Sequence, residues 1–195
     1  MTFPTHQNEV NRNSSETFPV EYRRPLISVL VPVYNVRPKW FEAALESVLE
    51  QKYENWEVCI VDDCSDDNAI RSCLANVLRL EDSRVHLRFL KERGGISRAT
   101  NEALAIANGE YVAFLDDDDV LTADALFEVA KAINEHMAPD VIYSDEDLLT
   151  PDGTQVFRPH FKPNYSPALL LSHNYITHLL VVKSGLVQEL GGLRY

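Results

Sequence analysis

The chain has 195 residues, of which 45% are hydrophobic and 25% charged, so its composition is that of a globular protein with one sizeable core. This composition excludes collagen, low-complexity disorder and disulfide-stapled mini-proteins. The net charge of -12 argues against nucleic acid as a partner, and no apolar stretch approaches the roughly 20 residues that a transmembrane segment needs.

The polar N-terminal segment contrasts with the rest of the chain. Residues 1–24 carry few large apolar side chains and show no period, which predicts a disordered tail or linker. The folded domain is then expected over residues 25–195. Because the sequence stops just after a predicted helix, we expect this domain to be truncated at its C-terminal end and to have further domains beside it in a longer chain.

Strands and helices are predicted to alternate from residue 26 onward. Short, continuously apolar runs predict strands, and apolar residues at helical spacing predict the helices between them. The predicted strands are 26–33, 56–61, 85–90, 111–115, 141–143 and 177–182. The predicted helices are 41–49, 70–80, 97–107, 126–133 and 187–190, and a hairpin is predicted around 151–153. The alternation indicates an α/β fold with a doubly wound, mostly parallel sheet flanked by helices.

The cysteines and the N-terminus bear on the compartment. Cys59, Cys64 and Cys73 are an odd number without a C-x-x-C pair, which predicts reduced, mostly buried thiols. The N-terminus also lacks an apolar signal core, so the expected compartment is the cytoplasm. Peripheral attachment at the inner face of the membrane stays open beside this expectation.

Acidic residues are concentrated in three clusters. These clusters are 62–67, 116–119 and 145–147, and they hold 11 of the 30 acidic residues. The first two follow predicted strands, whose carboxyl ends line the ligand crevice of a parallel sheet. Converging carboxylates repel one another unless a cation lies between them, and oxygen ligands favour Mg²⁺ or Mn²⁺ over Zn²⁺. The alternative is that these acids only solvate strand ends or cap helices.

A divalent metal held by a few carboxylates often binds substrate phosphates as well. The sequence lacks a P-loop and a Rossmann glycine motif, so such a phosphate would be held mainly through the metal. The segment 94–97, Gly-Gly-Ile-Ser, precedes a predicted helix. Its backbone amides could bind an anion, or it could be a plain turn with a helix cap.

Several motifs occur in a characteristic order. They read Pro-Leu-Ile-Ser-Val-Leu-Val-Pro-Val-Tyr-Asn at 25–35, Ser-Val-Leu-Glu-Gln at 47–51, Val-Asp-Asp-Cys-Ser-Asp at 61–66 and Gly-Glu-Tyr-Val-Ala-Phe-Leu-Asp-Asp-Asp-Asp at 109–119. Together they resemble family 2 glycosyltransferases, which have the GT-A fold. Later motifs at 143–147, 161–163, 169–175 and 191–192 resemble a bacterial subgroup that builds surface polysaccharides such as O-antigen, with rhamnosyltransferases among its members.

The resemblance implies a nucleotide site. Pro32 and Tyr34 match the segment that holds the base and ribose, with the Tyr34 ring as a stacking face. Asp63, with Asp62 beside it, matches the acid that hydrogen-bonds a pyrimidine ring nitrogen. Many members of the family carry an arginine in the third helix, and in this chain the arginine, Arg98, lies two positions earlier. Two residues turn a helix by about 200°, so Arg98 either contacts the diphosphate from this displaced position or lies away from it.

The resemblance also implies a metal site and a reaction. Asp116, Asp117 and Asp118 match the D-x-D region, with Asp116 and Asp118 as metal ligands and Asp117 toward the nucleotide. The implied cofactor is Mg²⁺ or Mn²⁺. The implied reaction is an inverting sugar transfer from a nucleotide-diphosphate donor to a hydroxyl of a saccharide or lipid-linked saccharide. The family's catalytic base lies on an acidic motif after the Gly-Gly segment, beyond Tyr195, so no catalytic residue is assigned.

Two other functions fit parts of the sequence. An incomplete or degenerate transferase domain would bind nucleotide or a neighbouring domain without turnover. A haloacid-dehalogenase-like phosphatase would use Asp116 as nucleophile, although its motif normally follows the first strand.

Further polar residues could belong to the same crevice. His173 and His178 are alternatives for a third metal ligand or an acceptor contact, or they are hydrogen-bonded structural residues. The third acidic cluster, 145–147, either positions the acceptor or solvates a loop.

Overall fold

The computed structural model of the protein describes residues 17–150 and 152–194. Its strands are β1 (Ile27–Val33), β2 (Trp56–Asp62), β3 (Val85–Phe89), β4 (Tyr111–Phe114), β5 (Val141–Tyr143), β6 (Glu146–Leu149), β7 (Val156–His160) and β8 (Leu180–Lys183). Its helices are α1 (Pro38–Leu49), α2 (Asn68–Val77), α3 (Ile96–Ile106), α4 (Ala125–Glu135), α5 (Pro167–Ser172) and α6 (Ser184–Glu189). No helix in these ranges is long and apolar enough to cross a membrane.

Six strands form the main sheet, in the order β3-β2-β1-β4-β8-β5. β1 pairs in parallel with β2 and β4, and β2 pairs in parallel with β3. β8 runs antiparallel to both β4 and β5. The mostly parallel sheet predicted from the alternation of strands and helices is therefore confirmed, and the antiparallel strand is the late strand predicted at 177–182.

Helices cover both faces of the sheet. The side chains of Ile27, Val29, Val31 and Val33 alternate along β1 and join a large apolar cluster with α1, α2 and α4. Leu30 points to the opposite face, where a smaller cluster includes residues of α3 and α6. β1 and β2 are buried on both faces, which explains their nearly continuous apolar sequences.

The residues just before Pro25 pack against the domain. The Phe18 ring lies 5.3 Å from the Tyr53 ring and 5.4 Å from the Phe127 ring, measured between centroids. Arg23 forms an ion pair with Glu110 at 2.6 Å. Packing thus begins earlier than the sequence predicts, because one aromatic side chain anchors an otherwise polar segment. Residues 1–16 of the predicted tail lie outside the described residues.

The region after residue 143 contains a separate hairpin. β6 and β7 form this antiparallel pair, as predicted, and Gly153 in the turn has a φ of 73°, a backbone conformation that favours glycine. Pro151 of the predicted turn lies outside the described residues. The short helix α5 was not predicted, because its six residues show no apolar period. Its only local signal is Ser166, whose side chain caps the helix, followed by a proline at the first helical position.

Candidate functional site

Three neighbouring strands end at the same edge of the sheet. β1, β2 and β4 run in parallel, and the segments that follow them begin at Tyr34, Asp63 and Leu115. In the register of the sheet, Pro32 lies opposite Val61 and is half-buried within β1. The two acidic clusters predicted to follow strands therefore converge at this edge, as expected for the carboxyl ends of parallel strands.

Asp63 is almost fully buried, with 2% of its surface exposed. Its two carboxylate oxygens accept hydrogen bonds from the backbone N–H groups of Gly94 and Gly95, both at 2.7 Å. The Gly94 and Gly95 amides, for which an anion site and a plain turn were the two alternatives, thus bind the carboxylate of Asp63. Each oxygen keeps a second lone pair that can accept a further hydrogen bond. Asp62 is buried too, and its carboxylate accepts from the Ser65 N–H.

Tyr34 lies between two charged side chains. Its backbone N–H donates to Asp117 Oδ2 at 3.1 Å, which joins the loop after β1 to the acidic loop after β4. The guanidinium carbon of Arg93 lies 3.9 Å from the centroid of the Tyr34 ring, a cation–π contact. Arg93 was not identified from the sequence. Its only signal was its position directly before the Gly94-Gly95 turn.

Asn35 joins the two loops beside Tyr34. Its backbone has a φ of 49°, in the left-handed region that asparagine tolerates. The side-chain oxygen accepts from the N–H groups of Asp66 and Asp67, while the side-chain amide donates to the Asp66 carboxylate at 2.6 Å. Asp67 also caps α2 by accepting from the Ala69 N–H. Asp66 and Asp67 therefore have structural roles here, and Asp67 agrees with the capping alternative.

Asp117 is a partly buried carboxyl in the middle of the acidic loop. The pKa of Asp117 is raised from 3.8 to about 6, mainly by burial and also by the charges of Asp118 and Asp116, while the hydrogen bond from the Tyr34 N–H lowers it. A cation near this carboxyl would favour its ionised form. The electrostatics of the loop thus suit a positively charged ligand.

The side chains of Asp116, Asp119 and His178 form a group that could hold a metal ion. Their donor atoms all lie within 4.8 Å of one another. His178 Nδ1 is 3.0 Å from Asp119 Oδ2 and 3.9 Å from Asp116 Oδ2. Burial raises the pKa of Asp119, and the nearby His178 lowers it. Carboxylate oxygens and an imidazole nitrogen are ligands that divalent metal ions accept.

The composition of this group differs from the predicted ligand pair. Asp118 is exposed, and Asp119 lies beside Asp116 because the N–H of Asp119 bonds to the Asp116 carbonyl across one tight turn. The two-residue spacing of a D-x-D motif does not reveal such a turn. Among the described histidines, His178 belongs to the group, whereas His173 lies outside it at the end of α5.

Arg98 lies against the loop that holds Asp63. Its guanidinium pairs with Glu92 at 3.0 Å, and its side chain passes so close to Gly94 that a β-carbon there would overlap it. Asn101, one helical turn further on, donates to the carbonyl of Leu193 and accepts from its N–H. The residues of α3 therefore support the loop before the helix and the segment after Gly192.

Comparisons with known proteins identify relatives of this chain. A family model described as "Glycosyl transferase family 2" matches residues 28–177. The O-antigen biosynthesis protein RfbC of Myxococcus xanthus is 38% identical over 172 residues, which are 88% of this chain and 13% of that protein. The S. aureus TarS structure in complex with UDP-GlcNAc is 26% identical with a TM-score of 0.65, and the match covers 85% of this chain and 47% of that one.

A second solved structure contains a metal. The mannosyltransferase PcManGT from Pyrobaculum calidifontis, in complex with GDP-Man and Mn²⁺, is 25% identical with a TM-score of 0.63. The match covers 88% of this chain and 48% of that one. These two structural similarities confirm the predicted GT-A fold. The chain spans less than half of each solved structure and a smaller part of RfbC.

Proposed function

Because the chain belongs to the family 2 glycosyltransferases, we propose that it binds a nucleotide-diphosphate sugar at the carboxyl edge of its sheet and transfers the sugar, with inversion, to an acceptor hydroxyl. The observation that carries the proposal is the convergence of Asp116, Asp119 and His178 beside Tyr34 and Asp117. The relative named for O-antigen biosynthesis supports a bacterial surface polysaccharide as the product. The acceptor is then a saccharide or a lipid-linked saccharide.

The nucleotide half of the site consists of Tyr34, Arg93 and Asp63. The Tyr34 ring offers a stacking face for a base, and base stacking on aromatic side chains contributes about 1–3 kcal/mol. Arg93 already lies on that ring, so its guanidinium either moves aside or completes the stack when a base binds. Asp63 is fixed by Gly94 and Gly95, so its free lone pairs point from a rigid position. Pro32 and Asp62 support this half from β1 and β2.

The other half of the site is proposed to hold a divalent metal, Mg²⁺ or Mn²⁺. Asp116, Asp119 and His178 would bind it through two carboxylate oxygens and one imidazole nitrogen. Bound there, the ion would act as a Lewis acid toward the departing diphosphate, where negative charge builds up. Asp117 accepts the hydrogen bond of the Tyr34 backbone N–H and so connects the nucleotide half of the site to the acidic loop. The general base is expected after Gly192 from the family pattern and is not assigned.

Binding of nucleotides tests the proposal. The thermal unfolding midpoint of the chain is measured with UDP, dTDP, GDP and CDP, each with and without Mn²⁺. A ligand at 100 times its dissociation constant adds about 2.7 kcal/mol of stability, which is a shift of several degrees for a domain of this size. We expect a Mn²⁺-dependent shift with one of the four nucleotides. No shift with any of them, for a chain shown to be folded, would contradict the proposal and favour a degenerate domain.

Two aspartate variants separate the metal ligands. The sequence motif indicates Asp118 as a metal ligand, whereas the geometry indicates Asp119. The variants Asp118→Asn and Asp119→Asn are therefore compared. Asp140→Asn is the control, because Asp140 is an exposed acid whose carboxylate lies 3.9 Å from the Lys183 ammonium group. We expect Asp119→Asn to weaken Mn²⁺-dependent nucleotide binding at least tenfold, as expected for the loss of a metal ligand. A larger loss in Asp118→Asn would show that the loop rearranges around the metal and that the D-x-D spacing, rather than this geometry, identifies the ligand.

A further inference from the structure

Lys162 is a buried lysine in the segment between β7 and α5. Its side chain has no exposed surface, although the neighbouring hairpin is largely exposed. The ammonium group donates to the carbonyl oxygens of Thr177 and His178, the latter at 2.8 Å, and lies 3.3 Å from Glu146 Oε2. These three acceptors match the three N–H donors of an ammonium group.

Burying the Lys162 ammonium group lowers the stability of the fold unless its acceptors compensate. Removing an ammonium group from water costs several kcal/mol, and only well-placed acceptors offset this cost. An apolar side chain of similar length would fill the same space without that cost. Besides filling space, the lysine connects Glu146 of the hairpin to the backbone of residues 177–178.

The hairpin end of this connection is itself fixed. The backbone N–H of Lys162 donates to Asp145 Oδ1 at 2.7 Å, and Glu146 also bonds to His160 at 2.7 Å. The Tyr143 hydroxyl donates to the carbonyl of Pro163 at 2.7 Å. Two members of the third acidic cluster therefore hold Lys162.

The other end of the connection carries the histidine of the candidate metal site. Lys162 holds the backbone carbonyl of His178, and the ring of the same residue lies 3.0 Å from Asp119. The next residue is fixed as well, since the Leu179 N–H donates to Ser144 Oγ at 3.1 Å. His178 is exposed, and its ring contacts Asp119 and Asp116, so the position of its backbone affects whether the ring reaches these two carboxylates.

We propose that Lys162 is a positioning residue that fixes the His178 backbone so that the imidazole reaches Asp116 and Asp119. This inference rests on the proposed metal site. It assigns a role to the acidic residues after β5, for which the sequence left two alternatives open. Partners that orient a metal ligand typically affect metal affinity by 10- to 100-fold.

The experiment is a double-mutant cycle on Mn²⁺ affinity. Mn²⁺ is titrated into the full chain and into Lys162→Met, His178→Ala and the double variant, and the free ion is quantified by its electron paramagnetic resonance signal. We expect Lys162→Met to weaken Mn²⁺ binding about tenfold in the natural chain and by less than twofold when His178 is already alanine. Lys183→Met, which removes an ammonium group from the end of β8, is expected to leave Mn²⁺ affinity within twofold.

Each outcome decides a different point. Unchanged Mn²⁺ affinity in Lys162→Met, or an equal loss with and without His178, would overturn the role of Lys162 alone. No Mn²⁺ binding by the natural chain, or no effect of His178→Ala, would overturn the proposed metal site itself. If circular dichroism shows that Lys162→Met does not fold, the cycle is run with Lys162→Gln. That residue is neutral and retains an amide donor, and the same expectations apply.

Discussion

Replacing Asp63 by asparagine tests whether this carboxylate holds the loop at residues 94–95. The side chain is 2% exposed and accepts two backbone N–H groups at 2.7 Å each. Asparagine keeps one acceptor oxygen, but its amide nitrogen would face the second N–H group. Hydrogen bonds to charged groups contribute about 1.5–3 kcal/mol, and a buried N–H without an acceptor costs about 1–3 kcal/mol. Burying a neutral amide in place of a carboxylate recovers part of this loss. The net expectation is a loss of about 2–3 kcal/mol.

Urea unfolding at pH 7 measures this loss directly. With a denaturant slope of about 2 kcal/mol/M, the midpoint would fall by about 1–1.5 M. Asp66→Asn is the matched control, because Asp66 is exposed in the same loop and bonds to the Asn35 side chain. That control is expected to lose less than about 1 kcal/mol. If the two variants lost equal stability, or if Asp63→Asn lost none, the account of this loop would be refuted.

Three further predictions concern the base, the pH response and the N-terminal segment. Tyr34→Ala should weaken nucleotide binding by about 10- to 100-fold by calorimetry, with Tyr34→Phe close to the natural chain, and equal affinities in all three would remove the ring from the site. Burial raises the pKa of Glu57, but hydrogen bonds from Ser28 and Asn108 outweigh it and hold the pKa below its usual value. Ionised Glu57 therefore stabilises the fold above about pH 4.5, and this contribution is lost as the pH falls through its lowered pKa. The stability lost in Glu57→Gln, measured by urea unfolding, should shrink below that pH, and a constant difference would contradict this assignment. Phe18→Ala should cost about 2 kcal/mol in the same assay, whereas an unchanged midpoint would mean that Phe18 is not anchored.

The sequence predicted the sheet well because its signals are local. The strand at 56–61 is a run of apolar residues buried on both faces, and α1 shows its buried stripe directly in the spacing of Phe41, Leu45 and Val48. The anchoring of Phe18 could not be predicted, because its contacts with Tyr53 and Phe127 join residues far apart in the chain. A single aromatic in a polar segment has no periodic pattern to reveal it.

The sequence indicates the outline of the candidate site, but its individual contacts could not be predicted, for a similar reason. The acidic clusters after β2 and β4 converge as their positions relative to the strands indicate. The pairing of Asp63 with two glycine amides depends on a loop 31 residues later, and the proximity of Asp119 to Asp116 depends on a tight turn. His178 reaches these acids from the segment before β8. Spacing alone does not encode such contacts.

The most direct test of the proposed metal site is pulsed electron paramagnetic resonance of bound Mn²⁺ with the nucleotide diphosphate that stabilises the chain best. The account predicts a nitrogen coupling from the His178 imidazole and a phosphorus coupling from the diphosphate in the same sample. The nitrogen coupling should disappear in His178→Ala and persist in His173→Ala, which lies outside the metal group. A bound Mn²⁺ without the phosphorus coupling, or a nitrogen coupling that survives His178→Ala, would contradict the claim that Asp116, Asp119 and His178 hold the metal of the donor site.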